Sequence, residues 1–132
     1  MRLNILCDAH WESQLDKVVG RMSATRYRER FDAIDYGEGL GAITVILMCR
    51  RPELRFKRRI RFVTAERKLY IDVMFELSAM RHLDDDTRLR VVAGRLAEEI
   101  PIVLRESSIA GWEIERFESD LRAWLREWNE PI

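Results

Sequence analysis

The sequence predicts an α+β fold: an antiparallel β-meander of about three to four strands with amphipathic helices packed on one face. Three observations carry this. Between Ala42 and Glu76 apolar residues either run through β-branched side chains or alternate with charged ones, as strands require. On either side of that stretch they recur every three or four residues, as on one face of a helix. The central strand-like segments also follow one another directly, without the regular alternation of strand and helix that marks a doubly wound sheet.

Arg2 to Cys7 alternates weakly and reads as a short strand, after which Asp8 is placed to cap a helix. Trp11, Leu15, Val18, Val19 and Met22 give that helix one apolar stripe. Ser23 to Thr25 bends or breaks it, and a further turn or two runs through Tyr27, Phe31 and Ile34. Gly37-Glu38-Gly39-Leu40-Gly41 reads as a flexible lead-in to the next strand. From Ile43 to Met48 the side chains are apolar on both parities, apart from Thr44, which predicts a central strand. Arg51-Pro52-Glu53 then supplies a turn, because proline fixes its own φ and holds the residue before it extended.

The strand beginning near Leu54 is two-faced. Phe56, Ile60, Phe62 and Thr64 share one parity, and Arg55, Lys57, Arg59 and Arg61 share the other. Arg58 breaks the apolar parity and is expected at the sheet margin, with its guanidinium in water. After a turn from Ala65 to Lys68, Leu69, Ile71, Val73 and Phe75 alternate with Tyr70, Asp72, Met74 and Glu76. A hairpin closing symmetrically on Glu66-Arg67 sets Thr64 against Leu69, Phe62 against Ile71 and Ile60 against Val73. The same register puts Arg61 opposite Asp72 and Lys57 opposite Glu76. Ile60, Phe62, Ile71 and Val73 are then expected to point inward together beneath the helices.

Asp84-Asp85-Asp86 places acids and a cap at the start of a long helix, where the macrodipole favours negative charge. Its stripe is Leu89, Val92, Ala93, Leu96, Ile100 and Val103, and Pro101 is expected to kink or divide it. A loop around Ser107 to Gly111 leads to the last helix, in which Ile114, Phe117, Leu121, Trp124, Leu125 and Trp128 share a face. Truncating Phe62, Ile71, Leu96 or Trp124 to alanine is expected to cost about 2–5 kcal/mol.

A chain of 132 residues with 47% hydrophobic content is expected to form a single domain, residues 1–132, around one core. At this size no disulfide or metal is needed for folding. Cys7 and Cys49 lie in apolar runs without metal-ligand spacing and read as reduced thiols. The stretch from Met1 to Cys7 is too short for a signal peptide, and Ala42 to Cys49 is too short to span a membrane, so a cytoplasmic protein with no membrane partner is expected. Its 23 basic and 23 acidic residues cancel but are unevenly placed. Arg50 to Arg61 is strongly basic, opposed only by Glu53, and Glu98 to Glu130 is predominantly acidic.

No catalytic, cofactor or metal motif emerges. Cys7, Asp8 and His10 include nucleophile and base, but a strand end and a helix cap explain them better. His82 with Asp84 to Asp86 has ligating groups, yet a helix N-terminus attracts acids in any case. The glycine segment lacks the lysine and following helix of a phosphate loop. The basic stripe Arg55, Lys57, Arg59 and Arg61 supports an alternative reading as a nucleic-acid-binding adaptor. The facing Asp72 and Glu76, and zero net charge, favour a solvated sheet face over that partner.

Leu69-Tyr70-Ile71-Asp72-Val73-Met74-Phe75, the helix from Val91 to Ile100, and Ile109 to Phe117 followed by Asp120-Leu121 form a pattern running from Lys68 to Trp128. This pattern resembles immunity proteins of bacterial polymorphic toxin and contact-dependent growth inhibition systems. The resemblance implies a non-enzymatic protein that binds one cognate toxin domain, often a nuclease, and blocks its active site or an essential surface. Such proteins are often acidic where they meet basic nucleases. This chain departs from that in its neutral balance and basic centre, so either the acidic C-terminal third docks the toxin or the toxin is not a basic nuclease. Charge alone selects Asp84, Asp85, Asp86, Glu113, Asp120 and Glu127 as candidate partner-binding residues. Unpaired strand edges also offer a route to a homodimer.

Overall fold

The periodicities resolve into a layer of strands and a layer of helices in the computed structural model, which describes residues 1–8, 12–23, 26–50, 56 and 58–129. The elements are β1 (Arg2–Cys7), α1 (Glu12–Ser23), α2 (Arg26–Ala33), β2 (Ala42–Cys49), β3 (Arg58–Val63), β4 (Lys68–Phe75), α3 (Leu77–Met80), α4 (Asp85–Ser107) and α5 (Ile114–Asn129). Trp11, His10, the Arg51-Pro52-Glu53 turn, Leu54, Arg55 and Lys57 lie outside the described residues.

The sheet is mixed, which corrects the expected antiparallel meander. Its order is β1-β2-β4-β3. β1 runs parallel to β2, β2 runs parallel to β4, and only β3 and β4 are antiparallel. Two connections explain this. β1 reaches β2 through α1 and α2, and a helical crossover returns the chain in the same direction. Eight residues separate Cys49 from Arg58, too many for a tight hairpin. They suffice to step across two strand spacings of about 4.8 Å each, so β3 forms the far edge and β4 enters between it and β2.

The hairpin between β3 and β4 is present, with its register moved by two residues. Arg59 stands opposite Asp72, Ile60 opposite Ile71 and Phe62 opposite Leu69. The cause lies in the loop: Thr64–Glu66 forms a 3-10 turn and Arg67 adopts a left-handed conformation at φ 53°, so more residues are spent turning than a symmetric closure uses. A shift of two keeps every side chain on its expected face.

The helices cover one face of the sheet. Leu3, Ile5, Ile43, Val45, Leu47, Leu69, Ile71 and Val73 share that face and join one buried cluster with Leu15, Val18 and Met22 of α1, Phe31 of α2 and the stripes of α4 and α5. Phe117, Leu121, Trp124 and Leu125 are buried as the period of α5 requires. Phe31, Phe117, Tyr36, Trp112, Trp124 and Trp128 form a chain of tilted and edge-to-face ring contacts with centroids 4.9 to 5.9 Å apart. Pro101 neither divides nor ends α4, because the buried Ile100, Val103 and Leu104 hold the helix through the lost hydrogen bond.

Cover stops short of β3, and this corrects the inward placement of two residues. Ile71 and Val73 are fully buried, but Ile60 is 36% and Phe62 44% exposed. The buried cluster contains no β3 residue, as befits an edge strand beyond the helical layer. Ile71→Ala is therefore expected to lower stability by about 2–5 kcal/mol and Phe62→Ala by less than about 1 kcal/mol, measured by urea unfolding.

The glycine segment is clamped rather than flexible. Gly37 pairs across an isolated bridge with Trp112, and the Glu113 amide donates to the Tyr36 carbonyl at 2.6 Å. A Cβ built on Gly39 would stand 2.5 Å from the Ala110 carbonyl oxygen, so backbone approaches backbone where no side chain fits.

Candidate functional site

The alternation that buries one face of the sheet leaves the other to Asn4, Leu6, Thr44, Ile46, Met48, Tyr70, Asp72, Met74, Arg59 and Arg61. No residue of the main buried cluster comes from this set. Leu6 is 51% exposed, Asn4, Thr44, Ile46 and Tyr70 are half-buried, and Met48 and Met74 are buried.

At its centre the Asp72 side chain is only 1% exposed and takes both its contacts from β3. Arg59 Nε donates to Oδ2 at 2.8 Å and Arg61 donates to Oδ1 at 3.3 Å. Each guanidinium also lies over a ring, Arg59 above Phe56 at 4.8 Å and Arg61 above Tyr70 at 5.0 Å. Asp72 thus has the internal partner expected of it. The basic stripe is partly neutralised and held in place, while the arginine side chains stay 46% and 49% exposed.

The remaining arginine of β3, Arg58, is turned to the helical side. It does not reach into water as expected: its guanidinium binds Glu99 at 2.7 Å and Glu106 at 3.5 Å, because α4 passes over that end of the strand. Arg95 completes the pairing of Glu99 at 3.0 Å. Glu118, buried on α5, is held by Arg105 through two bonds of 3.0 and 3.1 Å. The sequence reading missed both carboxylates. Glu99 follows Val92 and Leu96 along the apolar stripe and Glu118 follows Ile114 by four residues, which is the signal that could have found them.

The six acids selected by charge fall in separate places. Asp84 caps α4 by accepting the Thr87 amide at 2.7 Å, and that hydrogen bond holds its carboxyl below the usual range. Asp85 pairs with Lys17 and Arg88, and Asp86 with Arg21, tying α1 to the start of α4. Glu113 pairs with Arg116 beyond the other end of α4, roughly 35 Å away for a helix of this length. Asp120 accepts from Arg30 at 3.2 Å and from the Tyr36 hydroxyl at 2.5 Å, and Glu127 is exposed on α5. No three His, Cys, Asp or Glu side chains among the described residues group as a metal site would require.

Tyr36 carries a pH dependence. Burial first, then the hydrogen bond and charge of Asp120, push its phenol well above the ordinary value of 10.0. A raised folded value means that the contribution is whole below about pH 10 and is lost as pH climbs from there towards the folded value. Tyr36→Phe is expected to flatten the loss of stability above about pH 10, read from urea midpoints in an alkaline series.

A groove of about 870 Å³ beyond the strand ends is lined in part by Arg50, Glu76, Arg90, Arg95 and Glu98, cations and carboxylates together. Arg50 is paired with Glu76 and Arg95 with Glu99. No helix among the described residues is long and apolar enough to cross a membrane.

The chain thus offers surfaces for recognition, in keeping with the family resemblance carried by Lys68 to Trp128. No curated protein and no solved structure matches it. The model of one family, described as Immunity protein 44, matches residues 1–127, nearly the whole length, and the chain belongs to that family.

Proposed function

We propose that this protein is a non-enzymatic, cytoplasmic immunity protein that binds one cognate bacterial toxin domain and neutralises it through a protein–protein interface. The observation that carries the reading is the family match over residues 1–127. The geometry supports it in a general way. The charged clusters are ion pairs that join elements of the fold, and a sheet face not covered by the helices leaves Leu6, Arg59 and Arg61 exposed for recognition.

A tight interface of this kind draws most of its affinity from a few buried aromatic or arginine side chains, and its speed and selectivity from charge. Co-expression tests it. Cells producing the toxin domain encoded beside this gene are expected to survive only when this chain is present, and the two chains are expected to purify together. Continued killing, with no complex recovered, would refute the proposal.

A further inference from the structure

Within the strands, the side of the sheet away from the helices carries four cations, Arg2, Arg59, Arg61 and Lys68. Against them stand Asp72 and, at the rim, Glu66, which pairs with Lys68 at 3.4 Å, and Glu76, which pairs with Arg50 at 3.7 Å. Positive charge is in excess there although the whole chain is neutral. Between the cations lie Leu6, 51% exposed, and the half-buried Ile46 and Tyr70.

We propose that this open sheet face is where the cognate toxin docks, and that the toxin meets it with acidic side chains around an apolar centre. The proposal rests on the toxin-neutralisation reading and adds to it the face used and the charge of the partner. Three features argue for it. Arginine and tyrosine are residue types that dominate interface energetics, and here both arginines are already fixed by Asp72 and by ring contacts. Groups ordered before binding lose less side-chain entropy on docking. The excess of cations also favours carboxylates opposite and rejects basic surfaces.

The acids of α4 and α5 are less suited to the task. Asp85, Asp86, Glu113 and Asp120 each already hold at least one cation of this chain and leave no excess of negative charge, whereas Arg59 and Arg61 share the one carboxylate of Asp72 and leave positive charge over. A nucleic acid is disfavoured by the same geometry. Asp72 places a carboxylate at the centre of the face, and Arg61 occupies a ring face of Tyr70 that a base would need for stacking.

The test measures binding of the toxin domain encoded beside this gene to the full chain by calorimetry. Leu6→Glu and Lys68→Glu each add negative charge to the face without touching the buried cluster, and Glu127→Lys changes charge on α5. Thermal melting of each variant verifies that it folds, and Tyr70→Phe serves as a second probe at the centre of the face. Leu6→Glu and Lys68→Glu together are expected to weaken binding by roughly 30-fold or more, with Glu127→Lys within about twofold of the parent.

Unchanged binding by the folded open-face variants, whether or not Glu127→Lys weakens it, would overturn the docking face while leaving toxin neutralisation intact. Absence of any complex with the unaltered chain would overturn both. Salt-sensitive binding of single-stranded RNA, abolished by Lys68→Glu, in place of toxin binding would replace the protein partner with a nucleic acid and overturn the proposal.

Discussion

Replacing both Arg59 and Arg61 with alanine is expected to lower the unfolding free energy by about 3–5 kcal/mol, because it removes both cations that hold a carboxylate buried in the fold. Asp72 lies on β4, between β2 and β3, with its side chain 1% exposed, and it pairs with these two guanidinia. Either arginine alone keeps the charge paired, so each single variant is expected to cost less than half as much, and the double variant more than the sum of the two. The reverse does not hold. Removing the buried charge alone leaves half-exposed arginines that water can solvate, and adding Asp72→Asn to the double variant removes its unpaired charge, so it is expected to recover part of the loss. Urea unfolding of the parent and the four variants checks this. A double variant as stable as the parent would mean that Asp72 finds other partners.

Gly37→Ala is expected to be as damaging through a different cause. The residue has φ +129°, and a Cβ there would lie 2.1 Å from the carbonyl oxygen of Gly111. Backbone strain of about 1–3 kcal/mol and overpacking of about 1–3 kcal/mol together predict a loss of about 3 kcal/mol or more. Gly20→Ala is the natural contrast. That glycine sits exposed in α1 with no atom within 4 Å of a built Cβ, and alanine there is expected to stabilise the protein by about 1 kcal/mol. Thermal midpoints of the two variants are expected to move in opposite directions.

Much of the architecture was legible because periodicity and burial share one cause. The two-parity apolar run of β2 marked a strand with neighbours on both sides, and the stripe of α5 named its buried face residue by residue. Strand direction was harder to read. The succession of β2, β3 and β4 suggests a meander, whereas the length of the link between β2 and β3 permits β4 to enter between them. The parallel pairing of β1 with β2 was implied by the helices between them, a signal that attention to the consecutive strands obscured.

Burial at the margin of the sheet was illegible for another reason. Ile60 and Phe62 have the same alternation as Ile71 and Val73, and alternation does not say how far a helical layer extends. Charge misled in a related way. Asp85, Asp86 and Asp120 looked available in one dimension, but their partners, Lys17, Arg21 and Arg30, lie far off in sequence. Asp72, by contrast, could be placed because its partners sit across a hairpin, where local register decides the neighbour.

The strand order also shapes how the molecule is made. β1, α1, α2 and β2 are synthesised before β3 and β4, so the edge of β2 that β4 seals lacks its neighbour until the hairpin has been made. In the folded chain β4 completes that edge, Val45 beside Ile71 and Leu47 beside Val73. Until this seam shuts, the nascent chain presents an unsatisfied apolar strand to every other polypeptide nearby, so slow translation between Arg50 and Lys68 prolongs its exposure to aggregation.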